Sequence, residues 1–186
     1  KFDAFGTGHA GTSVAAGLGY CAARDSKKED YYVITIVGDG ALTCGLNLEA
    51  ITASNNKPVK HIVIFNDNGM SISKNANGFY RFISKRTTRR GYVNSRRGIK
   101  KLFGNSFITK ALAGVKNSIK RSIVKGNYFE NYGYKYVGVV DGNDVKALIS
   151  TLKNVKFAAK DRAILLHIKT TKGKGYKKAE ENAESY

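Results

Sequence analysis

The sequence predicts an α/β fold: an open parallel sheet with helices on both faces. Three observations carry the prediction. Four short apolar runs are rich in Val, Ile, Leu and Tyr, helix-period segments lie between them, and Gly or Asp bounds the runs. Strands that alternate with helices are joined by right-handed crossovers, which lay the strands parallel and place helices on both sides of the sheet.

In chain order, residues 12–24 read as a helix that opens on small residues, Thr12, Ser13, Ala15, Ala16 and Gly17. The first strand, 31–37, runs into Gly38-Asp39-Gly40, and a helix follows over 43–54. Pro58 marks the turn before the second strand, 61–65. Residues 106–123 carry Ile108, Leu112, Val115, Ile119 and Ile123 on one helical face. The third strand, 134–140, leads to a helix over 144–156 expected to be capped by Asn143, and 163–168 is the fourth strand. Because the strand runs are continuously apolar rather than alternating, each is expected to be buried on both faces.

Residues 71–105 break the pattern. Arg, Lys, Asn and Gly accumulate there, over a length greater than a crossover needs, so a basic insertion is expected that is mobile, functional or both. The formal charge of +18 is correspondingly uneven: 15 of the 32 Lys and Arg residues, and no acidic residue, lie between Asn68 and Phe129.

With 186 residues and 42% hydrophobic content, residues 1–186 are expected to form a single domain. The chain opens on Lys1-Phe2-Asp3 and closes on Glu184-Ser185-Tyr186, and both termini read as cuts through a longer protein. No run approaches the roughly 20 apolar residues of a membrane span, and the opening residues do not have the charged-then-apolar pattern of a leader. The expected setting is therefore away from the membrane, in the cytoplasm, or in the plastid of a plastid-bearing organism. Cys21 and Cys44 sit on apolar segments without CxxC spacing and read as reduced core thiols.

The most specific chemical signal is a pair of strand ends. Gly38-Asp39-Gly40 closes the first strand and Asn66-Asp67-Asn68 closes the second after one intervening helix, so both emerge at the carboxyl edge, where ligands of open α/β sheets bind. Asp39 and Asn68 can then converge although 29 positions separate them. A carboxylate and an amide carbonyl are hard oxygen donors suited to Mg²⁺, which takes its remaining ligands from water and phosphate. Gly40 lets the backbone approach a diphosphate, and a helix beginning near Thr43 directs its amides the same way. Alone, Gly-Asp-Gly is also an ordinary strand-to-helix turn with a capping Asp. The second strand end is what separates the two readings.

These residues resemble the thiamine-diphosphate signature of transketolase-like enzymes. More narrowly, the stretch from Phe5 to Ser13 (FGTGHAGTS), Gly38-Asp39-Gly40-Ala41-Leu42-Thr43, the stretch from Asn66 to Ser73 (NDNGMSIS), Val140-Asp141-Gly142 and Thr171-Lys172-Gly173-Lys174-Gly175-Tyr176 are similar, in order, to the 1-deoxy-D-xylulose-5-phosphate synthase family. The resemblance covers nearly the whole chain and is weakest in the basic segment. It implies thiamine diphosphate and Mg²⁺ as cofactors, with Asp39, Asn68 and the main-chain oxygen of Met70 on the metal. It also implies Gly8, His9, Ala10, Gly40, Ala41, Asn68 and Tyr176 around the thiamine diphosphate.

The implied reaction joins pyruvate to glyceraldehyde 3-phosphate with loss of carbon dioxide, in a homodimer feeding isoprenoid, thiamine and pyridoxal synthesis. The groups that complete that chemistry lie on a later domain in the family, so residues 1–186 alone are expected to anchor the diphosphate without turning over pyruvate. The sequence departs from the family pattern in three places: Ala10-Gly11 replaces two serines, Gly69 replaces Glu, and Asn143 replaces His. His61 and His167, on buried strands without an acidic partner at ligand spacing, read as core residues. Two rival readings remain: another transketolase-like enzyme, and a nucleic-acid binder using the basic segment, where Tyr80, Phe82, Tyr92 and Phe103 interleave with Arg and Lys. The segment matches no nucleic-acid-binding pattern, which leaves the second with electrostatics alone.

Overall fold

A computed structural model of the chain describes residues 3–53, 57–69, 128–182 and 185. Their elements are α1 (Ser13–Ser26), β1 (Val33–Gly38), α2 (Asp39–Leu42), α3 (Gly45–Thr52), β2 (His61–Asp67), a 3₁₀ turn (Glu130–Tyr132), β3 (Lys135–Asp141), α4 (Val145–Ala158), β4 (Ile164–Lys169) and α5 (Lys177–Glu181). The predicted strands lie within two residues of the observed ones. The expected helix at 106–123 and the basic insertion at 71–105 fall outside the described residues, as does Met70.

The four strands form one sheet in the order β1-β2-β4-β3, every pairing parallel. Helices cover both faces. On one, Val14 of α1 and Ile51 of α3 pack with Val37, Val63, Phe65 and Leu165. On the other, Val155 and Ala159 at the end of α4 pack with Ile62, Ile164, Leu166 and Ile168. Each such side chain fully withdrawn from water contributes about 1.5–3 kcal/mol before entropy is counted. No helix among the described residues is long and apolar enough to cross a membrane.

Burial on both faces holds for the two central strands only. β2 and β4 are almost continuously buried, whereas β1 alternates, leaving Ile34 and Ile36 57% and 66% exposed, and β3 is half-buried through its middle. Position in the sheet accounts for this: among the described residues β1 and β3 are the outer strands, and α4 packs mainly on β3 and β4.

Two further expectations are corrected. The segment after β1 turns helical at once, at Asp39, and is broken at Cys44, whose extended backbone (ψ 140°) separates α2 from α3. Nor does Asn143 cap α4. Asp144 is the cap, accepting a hydrogen bond from the Ala147 amide at 3.0 Å, while the Asn143 side chain accepts one from the Thr171 amide at 2.8 Å. Asp and Asn are near-equivalent caps, so the choice between neighbours was set by the tertiary partner available to Asn143.

Candidate functional site

The carboxyl edge is assembled by register. Gly38 pairs with Asn66, so Gly38-Asp39-Gly40 and Asn66-Asp67-Asn68 leave the sheet side by side. Asp39 is 3% exposed. Its Oδ1 accepts a hydrogen bond from the Gly40 amide at 2.8 Å, while Oδ2 is buried with no hydrogen-bond partner among the described residues. Burial raises its pKa above the usual carboxylate range and the nearby Asp67 adds to the rise, while the Gly40 and Gly69 amides lower it in part. The register sets the turn after β2 beside the one after β1, and in it the Gly69 amide donates to Asp67 Oδ1 at 3.1 Å.

A buried carboxylate oxygen without a donor is costly. A cation removes that cost, and a hard, oxygen-binding one such as Mg²⁺ fits the donor type. Among the described residues there is no cluster of three His, Cys, Asp or Glu side chains, so a metal here draws on Asp39 with amide or main-chain oxygens.

Beside Asp39 lies a cavity of about 320 Å³ lined by residues 7–13, Ile36, Val37, Gly38 and Ala41. Gly8, His9, Ala10 and Ala41 therefore come together, and Asp39 and Gly40 lie in the chain between two lining residues. A Cβ built on Gly8 meets nothing within 4 Å, so the backbone there faces open space. The loop is held by Asn47, fully buried, whose side chain accepts from the Val14 amide at 3.0 Å and donates to the Ala41 carbonyl at 2.9 Å. Tyr176 is not part of this cavity. It caps the short α5 beyond β4 and is 52% exposed.

Sequence reasoning missed three groups. Asn47 carried no motif. Asn66 accepts a hydrogen bond from Thr170 Oγ1 at 2.8 Å, and the Asp67 carbonyl accepts from the Thr170 amide at 2.9 Å, tying the end of β2 to the end of β4. Finally, His167 is buried as expected but has an acidic partner: its Nε2 lies 3.1 Å from Asp67 Oδ2. The two are 100 residues apart and meet only because β4 pairs with β2, which no sequence spacing reveals. His61, also buried, faces Thr35 Oγ1 at 3.1 Å. Cys21 and Cys44 are both free; Cys21 is buried, and Cys44 is half-buried against the cavity loop.

Of the departures from the family pattern, Gly11 has a physical account. Its φ is +90°, and a Cβ added there would lie 2.5 Å from Cys44 Cβ and 2.7 Å from its Sγ. Gly11→Ser is accordingly expected to destabilise the fold by about 1–3 kcal/mol through overpacking and positive φ. Cys44→Gly, at a helix cap where glycine is tolerated, should recover the steric part. Denaturant unfolding of both single variants and the double variant checks this, and strict additivity would rule out the contact.

The chain matches the family profile described as 1-deoxy-D-xylulose-5-phosphate synthase over residues 1–170. It is 43% identical over 190 residues to the protein of that name from Clostridium beijerinckii, covering 100% of this chain and 30% of the relative. It is 40% identical over 188 residues to one from Dehalococcoides mccartyi, covering 99% of this chain and 30% of that relative. The chain thus spans about a third of the length of the curated relatives it matches. Among solved structures, Campylobacter jejuni transketolase superposes with a TM-score of 0.57 at 20% identity, over 97% of this chain and 23% of that one. Transketolase from Leishmania mexicana gives 0.50 at 19% identity, over 89% of this chain and 20% of that one. At those identities the likeness concerns the fold.

Proposed function

Since this chain belongs to the 1-deoxy-D-xylulose-5-phosphate synthase family, we propose that it is the diphosphate- and Mg²⁺-binding segment of an enzyme that condenses pyruvate with glyceraldehyde 3-phosphate, releasing carbon dioxide. The observation that carries the reading is the buried Asp39 Oδ2 without a hydrogen-bond partner among the described residues, next to a cavity walled by Gly8, His9, Ala10 and Ala41. In this reading Asp39, Asn68 and the main chain of Met70 hold Mg²⁺. Gly40 admits the diphosphate, and Tyr176 moves in from its exposed position to cover the cofactor. When bound, thiamine diphosphate supplies an electron sink for carbon–carbon bond cleavage and formation. The residues of this chain bind and orient it and keep water from the diphosphate. By the same reading the whole enzyme is a homodimer in the cytoplasm, or in the plastid of a plastid-bearing organism. It feeds isoprenoid, thiamine and pyridoxal synthesis.

Calorimetry on the intact protein tests this directly. Thiamine diphosphate is expected to bind in the presence of Mg²⁺ and to be released by a chelator, and pyruvate with glyceraldehyde 3-phosphate should then yield deoxyxylulose phosphate. Turnover of ketose phosphates in place of pyruvate would assign the chain to another transketolase-like activity instead.

A further inference from the structure

From the turn after β2 runs a chain of three side chains, two buried and Tyr136 half-buried, that the reading above leaves without a role. Tyr136 Oη lies 2.6 Å from His167 Nδ1, His167 Nε2 lies 3.1 Å from Asp67 Oδ2, and Asp67 Oδ1 takes the Gly69 amide at 3.1 Å. His167 and Asp67 are 1% and 2% exposed, and the Phe65 ring packs on the imidazole with centroids 4.5 Å apart.

With the imidazole neutral, one assignment of protons satisfies each of these described links. With Asp67 as a carboxylate, acceptor only, Nε2 carries the imidazole proton and donates to Oδ2. Nδ1 then accepts, and the Tyr136 hydroxyl donates to it. The hydrogen bonds run in one direction from β3, through β4, to the turn that follows β2. That turn is the one carrying Asn68. Gly69 sits in it at φ +74°, and the Asp67 carboxylate holds the Gly69 amide in place.

The geometry points to His167, oriented by Tyr136, as a positioning residue for the metal and diphosphate site. By fixing the carboxylate of Asp67, it holds the shape of the Asn68-Gly69 turn, which leaves the sheet next to the turn that carries Asp39. The inference rests on the function proposed above. Partners hydrogen-bonded directly to a metal ligand typically change metal affinity by about 10–100-fold when removed, and His167 acts one link further back, through Asp67 and the Gly69 amide, so the lower end of that range applies. They need not touch the reacting groups.

The test is Mg²⁺ affinity, measured by calorimetry on the intact protein with saturating thiamine diphosphate, alongside kcat at saturating Mg²⁺. His167→Leu should weaken Mg²⁺ by about tenfold while kcat at saturation stays within about threefold. His167→Gln keeps an N–H donor close to the Nε2 position and should restore most of the affinity. His167→Asn places its amide near Nδ1, away from Asp67, and should not. Tyr136→Phe retains the ring stacked on Phe129 and removes only the hydroxyl, so it gives a mild variant should the leucine fail to fold. Its expected loss is about threefold to tenfold.

Unchanged Mg²⁺ affinity in folded His167→Leu and Tyr136→Phe, in a protein whose unaltered form binds Mg²⁺ and cofactor, overturns the positioning role. So does equal loss in His167→Gln and His167→Asn. If the unaltered protein binds neither Mg²⁺ nor cofactor, the functional reading itself is wrong, and the positioning role falls with it.

Discussion

Replacing Asp39 with Asn is expected to weaken Mg²⁺-dependent binding of thiamine diphosphate by more than about 100-fold, because partners one shell further out already account for about 10–100-fold. The same change should leave the ligand-free fold as stable as before, or slightly more so. The two effects separate because Asp39 is buried and its Oδ2 has no hydrogen-bond partner among the described residues. Asn removes a buried charge, and its shape still fits the turn. The pH dependence follows from the same cause. Burial raises the folded pKa of this carboxyl above its ordinary value of 3.8, so between the two the folded state holds the extra proton. Stability from this group therefore falls as pH rises through that window, and the Asn variant lacks the slope. Thermal unfolding with and without Mg²⁺ and cofactor measures both parts. A variant that lost stability without ligand yet kept its ligand-induced stabilisation would show that Asp39 is only a turn residue.

The second large effect lies away from the site. Acid is expected to remove about 3 kcal/mol of stability through His61 alone, converting the shift at about 1.4 kcal/mol per pH unit. Burial, then the charges of Lys57 and Arg24, push its pKa from 6.5 down to about 4. Its Nε2 is 3.1 Å from Thr35 Oγ1, and α1 presses close at Gly17, where an added Cβ would approach Nε2 to 3.1 Å. No room remains there for hydration of an imidazolium. Between pH 6.5 and 4 the unfolded chain takes up a proton that the folded one refuses, so stability is full above the upper value and declines toward the lower. His61→Gln, which can keep the bond to Thr35, should flatten this decline. Chemical denaturation at stepped pH reads it, and a wild-type slope equal to that of the glutamine variant would contradict the argument.

Much of this was legible in the residues because the relevant physics is local. The runs around Val63 and Leu165 could only be buried strands. Glycine at 38 and 40 marked a tight exit from β1, and the small residues Thr12, Ser13, Ala15, Ala16 and Gly17 marked the start of a helix, as found in α1. The strand ends at Asp39 and Asn66 were placed together by topology rather than by contact, since right-handed crossovers leave few alternatives. What escaped the sequence depended on strand order. Ile34 and Ile36 have the same composition as core strand residues, and only the outer position of β1 makes them exposed. Asp67 and His167 are unremarkable in isolation and acquire a relationship because β4 inserts beside β2. Asn143 and Asp144 are chemically similar, and the Thr171 amide decided which of them would cap α4.

The same strand order bears on how the chain finds its native state. β2 and β3 are consecutive in sequence among the described strands but not neighbours in space, because β4 lies between them. The central pair joins residues 61–67 to 164–169, so the middle of the sheet cannot zip before a separation of about a hundred residues has been closed. Closure entropy grows only with the logarithm of that length. Sequence inserted between β2 and β3 can thus lengthen or shorten with little thermodynamic penalty. Speed bears the burden instead: distant parallel pairings fold slowly, and here β4, the last of the described strands in sequence, pairs between β2 and β3.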